Sequence, residues 1–362
     1  VWTKAGALTF YPNLFVFLVG PPGVGKTVTL DMMMPLVRKS QAVTLAPNDC
    51  TKQGLLDALA NCGKAVILNH IPFDFHFLDL NISELSNFMS KYDGELAGLL
   101  TALYDCPPFN DEVKRTHDKG KMIPFPGLAM IAGTATHNLG NTISDAMWGS
   151  GFMARVILVY SADKVTPEDM FAEVESHDSL AAKITVNLHR LGEMKGPLIW
   201  SPDARSAMNT FRKEAETTAP LHNRLAHYGT RRWIHLAKLA MIAALSDLRY
   251  HVEFHDLQLA HHWLTSAEEF MPEIFKDMIS HEDGQIYEEL RTAMWVKSQS
   301  TGRPVSAAEI TSWLSSRVSV HSVQRIFAVA LAADHFRRVA GTVGDDALYI
   351  PQMGGLRNLG RI

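Results

Sequence analysis

Over the first 160 residues, short apolar runs alternate with stretches of mixed polarity. Leu14-Phe15-Val16-Phe17-Leu18-Val19 is continuously apolar, which predicts a strand buried on both faces of a parallel sheet. Val28 through Met34 can follow as a helix until Pro35, because proline removes the next backbone donor. Ala42-Val43-Thr44-Leu45-Ala46 predicts a second, short strand, closed by Pro47-Asn48-Asp49. Asp49 or Thr51 is then placed to cap a helix through Asn61. Ala65-Val66-Ile67-Leu68 and Phe75 through Ile82 are strand-like runs divided by Pro72, one a core strand and the other a hairpin arm. Residues 94–105 form an amphipathic helix broken at Pro107-Pro108. Leu128 through Ala132 and Val156 through Tyr160 complete the buried strands. Strands alternating with helices predict an α/β fold, a parallel sheet with helices on both faces.

From about residue 167 the periodicity becomes helical. Ser201-Pro202-Asp203 opens one helix, and Thr230 to Ala244 forms another, with Leu236, Leu239, Ala240 and Ala243 on one face. Arg231 and Arg232 would sit in its first turn, where cations oppose the helix dipole. A further helix runs from Asp256 through Met271. Beyond 283 come a helix from Ile286 to Lys297, a capping box at Ser306-Ala307-Ala308-Glu309, a helix from Val320 to Asp334, and two strands flanking Gly344-Asp345-Asp346. That succession reads as a winged helix, a unit that reads DNA in some proteins and contacts protein in others. The expected domains are therefore a core over 1–165, a helical lid and linker over 166–280, and a winged helix over 281–362.

The 362 residues are 47% hydrophobic and 20% charged, enough for two or three packed domains. A net charge of −4 gives no global attraction to nucleic acid, so any DNA contact must be local. Cys50, Cys62 and Cys106 form no C-x-x-C pair, which favours reduced thiols and a cytoplasmic setting. No apolar run is long enough to span a bilayer, so no membrane partner is expected.

The chemistry concentrates at Gly20-Pro21-Pro22-Gly23-Val24-Gly25-Lys26-Thr27, which matches G-x-x-x-x-G-K-[ST] between a strand and a helix. Glycines at those places let backbone N–H groups close around phosphates at a helix N-terminus. Lys26 would reach the β- and γ-phosphates of ATP, and the Thr27 hydroxyl would ligate Mg2+. An acid at a neighbouring strand end is then needed to orient water, and Glu84 is assigned to it, with Ser83 where the metal-side Asp is usual. Asp79, on the same strand, is the rival. Thr134, in Gly133-Thr134-Ala135-Thr136-His137-Asn138, ends another strand where polar groups can sense a γ-phosphate. Arg155, after Gly149-Ser150-Gly151 and before a strand, is a candidate arginine finger for a neighbouring subunit's nucleotide. Arg115, Lys119 and Lys121 lie in a polar, basic segment around a turn at Lys119-Gly120, a candidate hairpin facing a DNA backbone.

These residues, in this order over about 10–270, resemble the AAA+ ATPase module of phage and plasmid primase-helicase replication proteins, with superfamily 3 or MCM-like motors. The resemblance also rests on Tyr11-Pro12-Asn13-Leu14, Ser83-Glu84-Leu85-Ser86, Tyr92-Asp93-Gly94-Glu95-Leu96 and Arg231 through Leu239. It implies Thr134 or Thr136 as the γ-phosphate sensor, Arg155 as the finger, Arg231 as a nucleotide-contacting lid arginine, and residues 114–121 as a pore hairpin. The implied function is an ATP-driven replicative helicase motor, a hexameric homo-oligomeric ring on single-stranded or forked DNA, with a primase as a further partner. If the chain is viral, its compartment is the host bacterial cytoplasm. The alternative is a nucleotide-switch helicase loader or replication-initiation regulator that does not unwind DNA.

Overall fold

The computed structural model describes residues 1–47, 51–68, 70–110, 123–164, 178–217, 222–332, 335–339, 342 and 347–351. It is a mixed α/β chain with a mostly parallel central sheet and many helices. It divides into two compact units, Val1–Phe275 and Lys276–Ile362. Among the described residues, no helix is long and apolar enough to cross a membrane.

In the first unit, β1 (Phe15–Val19) is followed by α1 (Lys26–Ser40) and α2 (Lys52–Asn61). Then come β2 (Lys64–Leu68), β3 (Ile71–Ile82), α3 (Leu85–Phe88) and α4 (Gly94–Tyr104). β4 (Pro126–Thr134), α5 (Thr136–Thr142), α6 (Asp145–Gly149) and β5 (Val156–Tyr160) complete the sheet region. The strand order is β2-β3-β4-β1-β5; β3, β4, β1 and β5 run parallel, and β2 pairs antiparallel with β3. Phe15, Phe17, Leu78, Leu80 and Leu128 have almost no exposure, and Val16 and Leu18 on the other face of β1 are half-buried.

Several expected boundaries move. α1 does not stop at Pro35 but continues to Ser40. The carbonyl that Pro35 leaves without a donor belongs to Asp31, and both residues lie on the exposed face, where water can replace the lost bond. Pro72 does not divide two runs; it lies inside β3, paired with Ile67 of β2. That end of β3 has a partner on one side only, because pairing with β4 starts at His76, so a missing N–H is tolerated. The strand expected over 42–46 is reduced to one parallel bridge, Leu45 to Asp79, fixed by Asp79 N donating to Thr44 O and Ala46 N to Asp79 O. Thr51 caps α2 by accepting from Gly54 N; Asp49 lies outside the described residues.

Helices α7 (Asp178–Glu193), α8 (Pro202–Thr217), α9 (Ala226–Ser246) and α10 (Phe254–Thr301) follow. α9 begins four residues before the expected Thr230, which puts Arg231 and Arg232 in its second turn. Arg232 grips buried Glu268 with three hydrogen bonds of 2.6–2.9 Å. No break separates Met271 from Ile286: α10 is one helix of 48 residues that includes Pro272.

In the second unit, the last turns of α10 pack with β6 (Val305–Ser306), α11 (Ala307–Ser315), α12 (Val320–Ala332), β7 (Phe336–Arg338) and β8 (Leu348–Pro351). The antiparallel sheet has the order β6-β8-β7. β6 escaped the sequence reading because two residues carry no periodicity. The capping box is present: Ser306 Oγ accepts from Glu309 N, and the Glu309 carboxylate accepts from Ser306 N. That bond, with Lys297 and Arg303 close by, holds the Glu309 carboxyl down at about 2. The turn at Gly344-Asp345-Asp346 lies outside the described residues.

Candidate functional site

Three chain segments meet at the carboxyl edge of the parallel sheet. Val19, the last residue of β1, pairs with Thr134 on one side and Tyr160 on the other. Gly20 N donates to Thr134 O, and Ser161 N donates to Val19 O. A Cβ at Gly20 would lie 2.1 Å from Ser161 O, so only glycine fits where the chain leaves the sheet. Gly23 (φ 85) and Gly25 (φ 89) adopt the left-handed backbone that turns the loop into α1, which starts at Lys26.

Lys26 folds back over the loop and donates to Gly20 O and Pro21 O, both at 2.8 Å. Partial burial lowers its pKa, against an upward pull from the nearby Glu84 carboxylate. Thr27 lies exposed in the first turn of α1, its hydroxyl able to reach a cation beside bound phosphates. On the β3 side, Ser83 supplies no charge, so this residue set fits a nucleotide's phosphates more completely than its metal. Beside Ser83, a cavity of about 430 Å³ opens between α1 and the end of β3, with Asp31 and Arg38 in its wall.

Glu84 follows β3 and precedes α3, but its side chain does not cap that helix. Oε1 instead accepts from Thr134 Oγ1 at 3.2 Å and Asn138 Nδ2 at 3.2 Å, with Ser86 Oγ at 3.4 Å. β3 and β4 can approach this closely because of Gly133, where a Cβ would stand 2.7 Å from Ser83 O. Glu84, Thr134, Lys26 and the glycine loop are thus brought to one edge. Asp79 is not among them. It lies four residues before Ser83, about 13 Å back along the strand, and burial pushes its carboxyl up to about 6. Thr136 is buried in the first turn of α5.

Arg155 and Arg231 are elsewhere. Arg155 precedes Val156, which pairs with Phe15 at the opening of β1, so it occupies the opposite edge of the sheet from the glycine loop. Only 6% of it is exposed; it donates to Gly151 O at 2.9 Å and to the Asp105 carboxylate. Arg231 stands 3.7 Å from the other oxygen of Asp105. Arg231 is thus paired with Asp105 at the edge of the sheet away from the glycine loop. α9 is docked at the far edge by buried Lys238, which donates to Asn13 O and Oδ1, and by His235, which donates to Ala154 O. As a finger, Arg155 would first have to leave Gly151 and Asp105. Arg115, Lys119 and Lys121 lie outside the described residues, between short antiparallel strands at Phe109–Asn110 and Ile123–Pro124.

The sequence reading named Asn138 only within a polar stretch and gave Asn13 to a turn. The four-residue spacing from Thr134 to Asn138 across a strand-to-helix turn was the available signal for the first. Neither a family model nor a curated protein sequence matches this chain.

Proposed function

We propose that the chain is an ATPase of the AAA+ type, acting as the motor of a ring-forming replicative DNA helicase. One observation carries the reading: the Glu84 carboxylate, held by Thr134 and Asn138, faces the Lys26 loop at the carboxyl edge of a parallel sheet. The strand order supports it, since ligands of open α/β sheets sit at strand carboxyl ends. In the second unit, the order of α11, α12 and the three-stranded sheet supports the winged-helix assignment.

In this mechanism the glycine loop wraps the phosphates with backbone N–H groups. Lys26 exchanges the Gly20 and Pro21 carbonyls for β- and γ-phosphate oxygens, which restores the full favour of its charge. Glu84 accepts a hydrogen bond from water in line with the γ-phosphate, while Thr134 donates to the same carboxylate. Thr27 is the residue that would hold Mg2+, which would supply charge neutralisation at the phosphates. Arg155 and Arg231, being at the far edge, act on a second copy's nucleotide if they act on any.

The test is steady-state ATP hydrolysis, with and without forked DNA, on the wild type, Lys26→Ala and Glu84→Gln. Lys26→Ala loses nucleotide binding, and Glu84→Gln binds ATP but turns over about 100-fold more slowly or less. A Glu84→Gln protein working at the wild-type rate overturns the assignment. Strand displacement separates the motor from a loader: hydrolysis without unwinding favours the loader.

A further inference from the structure

Glu84 engages only one of its two carboxylate oxygens. Oε1 takes the donors of Thr134, Asn138 and Ser86, while Oε2 makes no hydrogen bond among the described residues. The three donors come from the end of β4, the first turn of α5 and the turn that carries Glu84 itself. A carboxylate on a flexible stem exchanges its two oxygens by rotation. Several donors converging on one oxygen stop that rotation and determine which oxygen stays open.

Asn138 is the donor with no other engagement. Thr134 Oγ1 also lies within reach of Ala135 O, and Ser86 is exposed, whereas the one hydrogen bond of the Asn138 amide among the described residues goes to Glu84. Its nitrogen must face the carboxylate, since its oxygen there would be repelled. Leu139, the next residue, is fully buried and anchors α5, so the amide is carried on a fixed support. A neutral amide suits the position: it orients a base without cancelling its charge, as a lysine would.

We infer that Asn138 is a positioning residue, which with Thr134 clamps Oε1 of Glu84 so that Oε2 is presented to the attacking water. The inference rests on the ATPase reading of this site. Asn138 acts through Glu84 and touches neither water nor phosphate.

The experiment compares Asn138→Ala, Asn138→Asp and Asn138→Gln in the full chain by steady-state ATP hydrolysis and thermal melting, with Glu84→Gln as the control. Loss of a hydrogen bond to a charged group lowers kcat of Asn138→Ala by about 10- to 100-fold. KM for ATP stays within about twofold, because the amide contributes nothing to nucleotide binding. Asn138→Asp keeps the shape but sets a carboxylate against Glu84, and falls at least as far. Asn138→Gln keeps the donor and recovers part of the rate. Wild-type kcat in Asn138→Ala overturns the inference, and so does a loss confined to KM or matched by a lower melting temperature. If Glu84→Gln is inactive while Asn138→Ala is fully active, the clamp alone fails. If Glu84→Gln is fully active, the base assignment fails and takes the clamp with it.

Discussion

Lys238 should make this protein more stable as the pH rises above neutrality. It lies in α9 with 3% of its surface exposed. Its ammonium donates to Asn13 Oδ1 at 2.7 Å and Asn13 O at 3.0 Å, and stands 3.6 Å over the Tyr104 ring. Burial pulls its pKa down from 10.5 to about 7, opposed by Cys106 and Asp105 and reinforced by Arg155 and Arg231. Because the folded value lies below the unfolded one, the unfolded chain binds a proton between the two that the folded chain does not. Stability therefore rises with pH across that window, and the cost of burying the charge is carried in full below it. Integrated from about pH 7 to about pH 9, the gain is about 2 kcal/mol. Lys238→Met keeps the length and the packing on Tyr104 but cannot titrate. It also strips a donor from Asn13, costing about 1–3 kcal/mol, but that cost is nearly equal at both pH values and cancels. Urea unfolding of both proteins at the two pH values isolates the effect as a difference of differences. The wild type should gain about 2 kcal/mol more than the variant; equal gains refute the buried-charge account.

Two further outcomes follow from the same face of α9. His235 is fully buried and neutral, donating from Nε2 to Ala154 O, and burial drives its pKa from 6.5 to about 3. Its stabilising share is present above the unfolded value and lost on acidification, about 2 kcal/mol between roughly pH 6.5 and 4.5. His235→Gln retains a donor to Ala154 and should flatten that slope in urea titrations; an unchanged slope excludes His235 as its source. Arg232→Ala leaves the Glu268 carboxylate, 5% exposed, with only the Tyr228 hydroxyl among the described residues, and should cost about 3–5 kcal/mol by chemical unfolding. A loss under about 1 kcal/mol refutes the account of a buried carboxylate that depends on Arg232.

The residues that were legible in the sequence are those whose roles are set locally. Apolar runs at 14–19, 128–132 and 156–160 became parallel strands, since a continuous apolar run suits a strand with most of its surface covered. The glycine loop was legible because Gly23 and Gly25 adopt backbone conformations that other residues avoid. Glu84 and Thr134 followed from strand ends, since parallel strands bring their carboxyl ends to one edge. Contacts made over long sequence separations were not legible. Asn13 reads as a turn residue, yet it is 2% exposed, donates to Tyr104 O and Leu128 O, and takes Lys238 from 225 positions away. The prolines misled for the same reason: Pro35 and Pro72 break elements only where the freed carbonyl or missing donor is buried, and sequence does not state which side is wet.

The two arginines show how chain order leaves open at which edge of the sheet a side chain lies. Arg155 is assigned from its position before a strand and beside Gly149-Ser150-Gly151, and Arg231 from the family resemblance. Chain order leaves their distance from the glycine loop open, and register sets it. β1 spans about 13 Å from Phe15 to Val19, with Arg155 at one end and the glycine loop at the other. Asp105, half exposed, then gathers both guanidinium groups on one carboxylate. Two cations on one anion leave a local excess of positive charge at that edge, and Arg155 Nε is buried without a hydrogen-bond partner among the described residues. This arrangement satisfies the arginines only in part, and an anion delivered from outside the chain would satisfy them better.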